Sequence, residues 1–223
     1  MPPPGAARKP AEDRRREIAA AALRVIAAGG LGRFTAVAIA REVGVSDAAL
    51  FRHFPSKDAI VDAAIERLGE LLFEGFPPSE EDPLERLGAF FRRRVEVIRA
   101  NPGVSRLMAT DELARAGSPG AMERVAGFRR RSTAFARECL VEAARRGLIA
   151  EGLGVEEASV VVLGALLALA HGFVVPPAEP AVALAPRVWR TLESYLRGPR
   201  ARQQSAGDRP PRRTGRHNTR RKP

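Results

Sequence analysis

Between Phe34 and Lys57 the chain reads FTAVAIAREVGVSDAALFRHFPSK, two short helix-patterned runs broken by Val43-Gly44-Val45-Ser46. Thr35 is placed to cap a helix through Val43, and Ser46 to cap a second one from Asp47 to about His53. The reason is that a hydroxyl oxygen satisfies an amide left over in the first turn. Glycine in the break lets the chain leave the first helix in a left-handed conformation without a Cβ penalty. Ile39, Ala40, Val43, Val45 and Leu50 supply an inward face, leaving Asp47, Ala48, Ala49, Arg52 and His53 outward on the second helix. A protruding short helix with small residues and an arginine fits a DNA major groove. Many helix pairs of this shape never touch DNA, so the pattern alone is not diagnostic.

The rest of the chain carries few strand signals. β-branched residues rarely alternate, and Ala, Leu, Arg and Glu dominate, so the fold class is all-α. Helices are predicted over about 11–28, 36–43, 47–53, 57–74, 83–101, 103–116, 119–146, 155–173 and 181–197, with stops at Gly29-Gly30, Pro55, Pro77-Pro78, Gly147 and Pro176-Pro177. The expected organisation is a disordered N-terminus (1–10), a helix-turn-helix head (11–57), a helical body for ligand binding and dimerisation (58–197) and a disordered basic tail (198–223).

Charge follows that division. Residues 1–57 hold ten Lys/Arg against five Asp/Glu, residues 58–197 hold eighteen against twenty, and residues 198–223 hold nine against one. A basic head and tail around a near-neutral body suit a polyanionic partner for the two ends. A flexible basic tail can bind duplex DNA non-specifically; the alternative is an inert, solubilising extension. The single cysteine, Cys139, excludes an intrachain disulfide and reads as a buried structural thiol in a reducing compartment. The first ten residues have no apolar run and do not read as a secretory signal. Residues 158–175 are nearly uncharged, but they include Gly164, His171 and Gly172 and read as the core or interface helix of a bundle. No membrane is therefore expected, and the site of action is the cytoplasm, at the nucleoid.

Catalysis finds no support in the sequence. His53, His171 and His217 are scattered, Cys139 has no evident histidine partner, and no phosphate-cradling glycine loop occurs. Neither a metal site nor a cofactor is expected. A purely structural helical protein would not need Ser46, Lys57 and a basic head.

Thr35, then Ile39-Ala40, Gly44-Val45-Ser46, Leu50-Phe51, His53-Phe54 and Lys57 together resemble the signature of the TetR family of regulators, over about residues 11–68. The resemblance implies a three-helix DNA-binding head on a larger helical body. It also implies dimerisation through the last two helices and a small-molecule pocket in the body. It assigns Thr35, Ser46, His53 and Lys57, and the position of Phe51, to phosphates, and the other outward side chains of the recognition helix (Asp47, Ala48, Ala49, Arg52) to the base side. Phe51 departs from the tyrosine usual in the family, so one phosphate-contacting hydroxyl is missing, at a cost of about 1 kcal/mol. VSDAALFRHFPSK and RANPGVSRL (99–107) further resemble the nucleoid occlusion factors of the same family, which bind DNA and also restrain the cell-division machinery.

Each assignment has a plainer counterpart. Lys57 is a first-turn lysine that the helix dipole disfavours unless an anion shares the site. Arg52 is either a surface charge or a contact to phosphate or guanine. Ala48 and Ala49 either permit close approach or touch thymine methyls, and His53 is alternatively a packing residue. Arg14, Arg15 and Arg16 stand at a helix start, where phosphate contact or plain solvation compensates them. The eighth and ninth predicted helices, 155–173 and 181–197, are the expected homodimer interface, through Val160, Leu163, Gly164, Leu167, Ala168 and Ala170, with Trp189 and Tyr195 as anchors or core residues. An effector pocket would draw on Phe90, Phe91, Arg94, Met108, Phe128 and His171; the arginine triplets 92–94 and 129–131 face either an anionic effector or solvent. The effector itself is unknown from sequence.

Overall fold

Caps set the helix boundaries in the computed structural model, which describes residues 10–101, 104, 115–173 and 180–207. The described residues form eight α-helices and one 3-10 turn. They are α1 (Ala11–Gly29), α2 (Ala36–Val43), α3 (Asp47–His53), α4 (Lys57–Phe73), α5 (Pro83–Ala100), α6 (Ala121–Arg145), α7 (Val155–His171) and α8 (Ala181–Gly207). The hydroxyls of Thr35, Ser46 and Ser56 accept from the amides of Ala38, Ala49 and Ala59 at 3.1, 3.2 and 3.2 Å. Asp82 caps α5 by accepting from Leu84 and Glu85, with Pro83 opening the helix where no amide is needed.

The head is built on α1. Ile18, Ala22 and Ile26 from α1 meet Phe34, Ile39, Ala40, Leu50 and Phe54, all at most 2% exposed. Val43 and Val45, expected to face inward, are half-buried against this cluster. The long helix α4 carries the core onward through Ile60, Val61, Ala64, Ile65 and Leu68. It packs on α1 of the head and also on α5 and α6 of the body, so head and body share one helix. Asp62 of α4 pairs with Arg124 of α6 and accepts from the amide of Ser118 at 3.2 Å. Gly69 lets Phe128 lie against α4, where a Cβ would come within 2.7 Å of the ring.

In the body, α5 is the central helix, packed on α6, α7 and α8. Trp189 of α8, 2% exposed, lies 5.6 Å from the Phe91 ring. It occupies the space left by Gly88, where a Cβ would stand 2.3 Å from its indole nitrogen. Trp189 is therefore a core residue, whereas Tyr195 is 53% exposed. Arg197 of α8 donates to Asp82 at 2.9 Å, closing the body at the start of α5. Burial opposes ionisation of Asp82, but hydrogen bonds from Arg197 and from the Leu84 and Glu85 amides outweigh it and hold the carboxyl below its usual range. Cys139 is buried, as expected; burial raises its thiol, partly opposed by a hydrogen bond with Arg86.

Two expectations shift. The helix beginning at Ala181 continues past a kink at Gly198 to Gly207, into a stretch expected to be disordered. Ala170 is fully buried and belongs to the core rather than to an outer face. The predicted helix over 103–116 and Met108 lie outside the described residues, apart from Val104 and the end of that segment. No described helix is long and apolar enough to cross a membrane.

Candidate functional site

Gly44 is left-handed (φ 76°, ψ 37°) as the sequence requires, and the Val45 amide returns to the carbonyl of Ala40 at 2.9 Å. This turn sets α3 against α2, and Leu50 and Phe54 bury its inner side completely. Asp47, Ala48, Phe51 and Arg52 are exposed on its outer side, and Ala49 and His53 are half-buried. Thr35, Ser46 and Lys57 are exposed beside it. Six of the nine residues singled out from the sequence thus lie on α3, while Ser46 caps it, Lys57 opens α4 and Thr35 caps α2.

The capping geometry leaves useful chemistry outside. Since the oxygens of Thr35 and Ser46 accept from backbone amides, each hydroxyl keeps its own hydrogen to donate outward. Asp47 suits the positive end of α3, and Arg52 and His53 suit its negative end. Lys57 stands in the first turn of α4, where the helix field disfavours a cation. Its ammonium lies 5.2 Å from the centre of the Phe34 ring, a partial internal compensation.

The three arginines opening α1 find partners inside the head. Arg14 pairs with Glu17 at 2.9 Å, Arg16 with Glu12 at 3.2 Å, and Arg15 donates to the carbonyl of His53. Phosphate is thus not needed to explain their tolerance at the helix start. Sequence reasoning missed Val37, which is 64% exposed on α2 beside the same surface. Its signal was available, because it falls outside the 36, 39, 40, 43 stripe that faces the core.

A second site lies in the body. A cavity of about 290 Å³ between α5, α6 and α7 is lined by Phe90, Arg94, Ile98, Arg129, Ser132, Thr133, Leu163, Leu166, Leu167 and His171. Phe90, Arg94 and His171 thus stand where the sequence reading placed them. Phe91 does not, because it packs on Trp189, and Phe128 turns to Phe73 at 5.9 Å between ring centres. Arg94 is only 5% exposed, and its Nη2 has no hydrogen-bond partner. Its guanidinium lies 4.9 Å from the Phe73 ring centre and 5.0 Å from that of Phe90. Burial and then the charge of Arg131 lower it to about 10. It is therefore still a cation at neutral pH.

A third feature is the outer face of α7. Val160 is 73% exposed and Leu167 48%, with Gly164 exposed between them at helical spacing.

The family described as "Bacterial regulatory proteins, tetR family" matches residues 18–64, from the middle of α1 into α4. The nucleoid occlusion factor SlmA of Shewanella oneidensis is 34% identical over 145 residues, covering 63% of this chain and 70% of that protein. The chain belongs to the TetR family. The nucleoid occlusion factor SlmA of Vibrio vulnificus is 37% identical over 101 residues, 44% of this chain and 52% of its own length. The chain thus spans about half the length of several relatives it matches. Among solved structures, AibR in complex with isovaleryl coenzyme A and operator DNA shares the TetR-family fold with a TM-score of 0.65 at 19% identity, over 83% of this chain and 99% of that one.

Proposed function

We propose that the chain is a homodimeric, sequence-specific DNA-binding transcription regulator, a repressor that a small-molecule effector releases from its operator. The observation that carries the reading is the division of α3. Leu50 and Phe54 anchor it in the core, while Asp47, Ala48 and Arg52 stand free for base edges and Phe51 is exposed beside them. Thr35, Ser46, His53 and Lys57 flank it as phosphate contacts, with Ala49 close behind. A carboxylate at Asp47 would repel phosphate, so its role is to accept from a cytosine amino group.

The exposed Val160–Gly164–Leu167 stripe supports pairing of two copies through α7 and α8, since apolar side chains at that spacing gain most from a second identical face. A twofold pair would present its two α3 helices to major grooves about 34 Å apart. The cavity between α5, α6 and α7 is the effector site in this reading. AibR, solved with both a ligand and operator DNA, supports the pairing of those two functions in one chain. Coupling runs through α6, which lines the cavity and holds α4 by Asp62–Arg124 and Gly69–Phe128. Filling the cavity would move α4 and with it the spacing of the two heads. The work is binding, without catalysis, and takes place at the nucleoid in the cytoplasm.

Similarity to SlmA favours a second reading, in which the protein marks many chromosomal sites and also contacts the cell-division machinery. Genome-wide mapping of bound fragments separates the two. A few symmetric sites near promoters support the regulator, many dispersed sites support the occlusion factor, and no preferred site defeats both.

A further inference from the structure

We infer that the cavity between α5, α6 and α7 takes a small carboxylic acid, with its carboxylate on Arg94 and its apolar body along Ile98, Leu163 and Leu166. This rests on reading that cavity as the effector site, and it adds the chemical class.

The inference starts from an imbalance of charge. A guanidinium removed from water costs several kcal/mol unless an anion and hydrogen-bond acceptors replace the water. Among the described residues, Arg94 receives neither. Two phenyl faces, Phe73 and Phe90, offset only part of that cost. The neighbouring Arg131, itself 4.3 Å from the centre of the Phe73 ring, adds a like charge. The Nη2 atom is buried in a wall of an open cavity with no acceptor in reach. Neighbours on the same helix are satisfied differently: Arg93 pairs with Glu74 at 2.9 Å on the surface. Arg94 is thus the buried member of the triplet, its Nη2 has no partner among the described residues, and it lines the cavity.

The remaining lining narrows the class. Ser132 and Thr133 donate their hydroxyl hydrogens to the carbonyls of Phe128 and Arg129 at 2.9 and 3.0 Å. Both hydroxyl hydrogens are thus engaged with their own helix. Arg129 and His171 stand in the lining as well, and Ile98, Leu163, Leu166 and Leu167 supply its apolar part, so the occupant joins an anionic group to a compact apolar body. A guanidinium fork matches the two oxygens of a carboxylate.

The test uses the full chain without DNA, titrated calorimetrically with hexanoate, octanoate and decanoate, and with 1-octanol as the uncharged control. Arg94→Met keeps the side-chain length while removing the unpaired charge, and Arg94→Lys keeps charge without the fork. Expected is saturable carboxylate binding at one site per chain, weakened about tenfold or more in Arg94→Met and less in Arg94→Lys, with 1-octanol unaffected. Native 1-octanol affinity equal to octanoate, carboxylate binding indifferent to Arg94→Met, or no carboxylate binding at all overturns the inference. Arg94-dependent octanoate binding that leaves the operator complex intact upholds it and removes the effector reading instead.

Discussion

Arg15, on the second turn of α1, donates to the backbone carbonyl of His53 at the last turn of α3, across 38 positions of sequence. The same guanidinium lies 4.4 Å from the centre of the Phe54 ring. A single exposed side chain therefore ties the far end of α3 to the helix on which the head is built.

From this contact, Arg15→Ala should destabilise the head by about 1 kcal/mol, the worth of one exposed charge-assisted bond plus a ring contact. The predicted larger effect is on DNA, because α3 loses its rotational restraint. Urea unfolding and fluorescence anisotropy with operator DNA check the two effects separately. Equal losses in stability and affinity would mean that Arg15 does no positioning.

Ser46 both caps α3 and, in the proposed interface, donates to phosphate. Ser46→Ala loses both and should cost about 1 kcal/mol of stability. Ser46→Asp keeps an effective cap but brings a negative charge to the DNA side, so stability should stay within a few tenths of a kcal/mol of the native chain while operator binding collapses. An Asp variant that binds DNA normally would place Ser46 away from the phosphates.

Salt dependence reports on Lys57. Lys57→Met should lower operator affinity and reduce the slope of log K against log salt by about 0.9, the contribution of one phosphate contact. An unchanged slope would leave Lys57 with its internal contact to Phe34 alone.

Gly88→Ala should be destabilising by about 1–3 kcal/mol, since the new Cβ meets the rigid indole of Trp189 rather than the end of a flexible chain. Trp189 fluorescence should shift with it. A native-like melting temperature would show that α5 and α8 can separate slightly at no cost.

Asp82 gives the body an acid-sensitive latch. Its carboxyl is held below the usual 3.8, so its stabilisation is complete above that value and is lost as pH falls through the lower folded value. Asp82→Asn should therefore destabilise the chain at pH 6 and bring it closer to native behaviour as the pH falls well below 3.8. Thermal melts across that range read the difference, and a constant gap at every pH would contradict it.

Local rules made much of this legible. Thr35, Ser46, Ser56 and Gly44 act within four residues of themselves, through caps and one left-handed turn, so spacing alone places α2, α3 and the start of α4. Arg94 shows where that ends. In sequence it is one of three consecutive arginines, and only the phase of α5 against α6 and α7 decides that this one is buried while Arg93 is not. Trp189 is similar, since an aromatic at a candidate interface is recognised as core only once Gly88 is seen beneath it.

The sequence by itself determined an all-helical chain, its helix limits in the head, and the identity of the residues lining α3, because hydrogen-bond capping and 3.6-residue periodicity are short-range. Tertiary structure alone decided the tie from Arg15 to His53, the latch from Arg197 to Asp82, and the unpaired guanidinium in the body. Each of those depends on which side chains meet across tens of residues, and on what water is left between them, and neither is encoded in any local pattern.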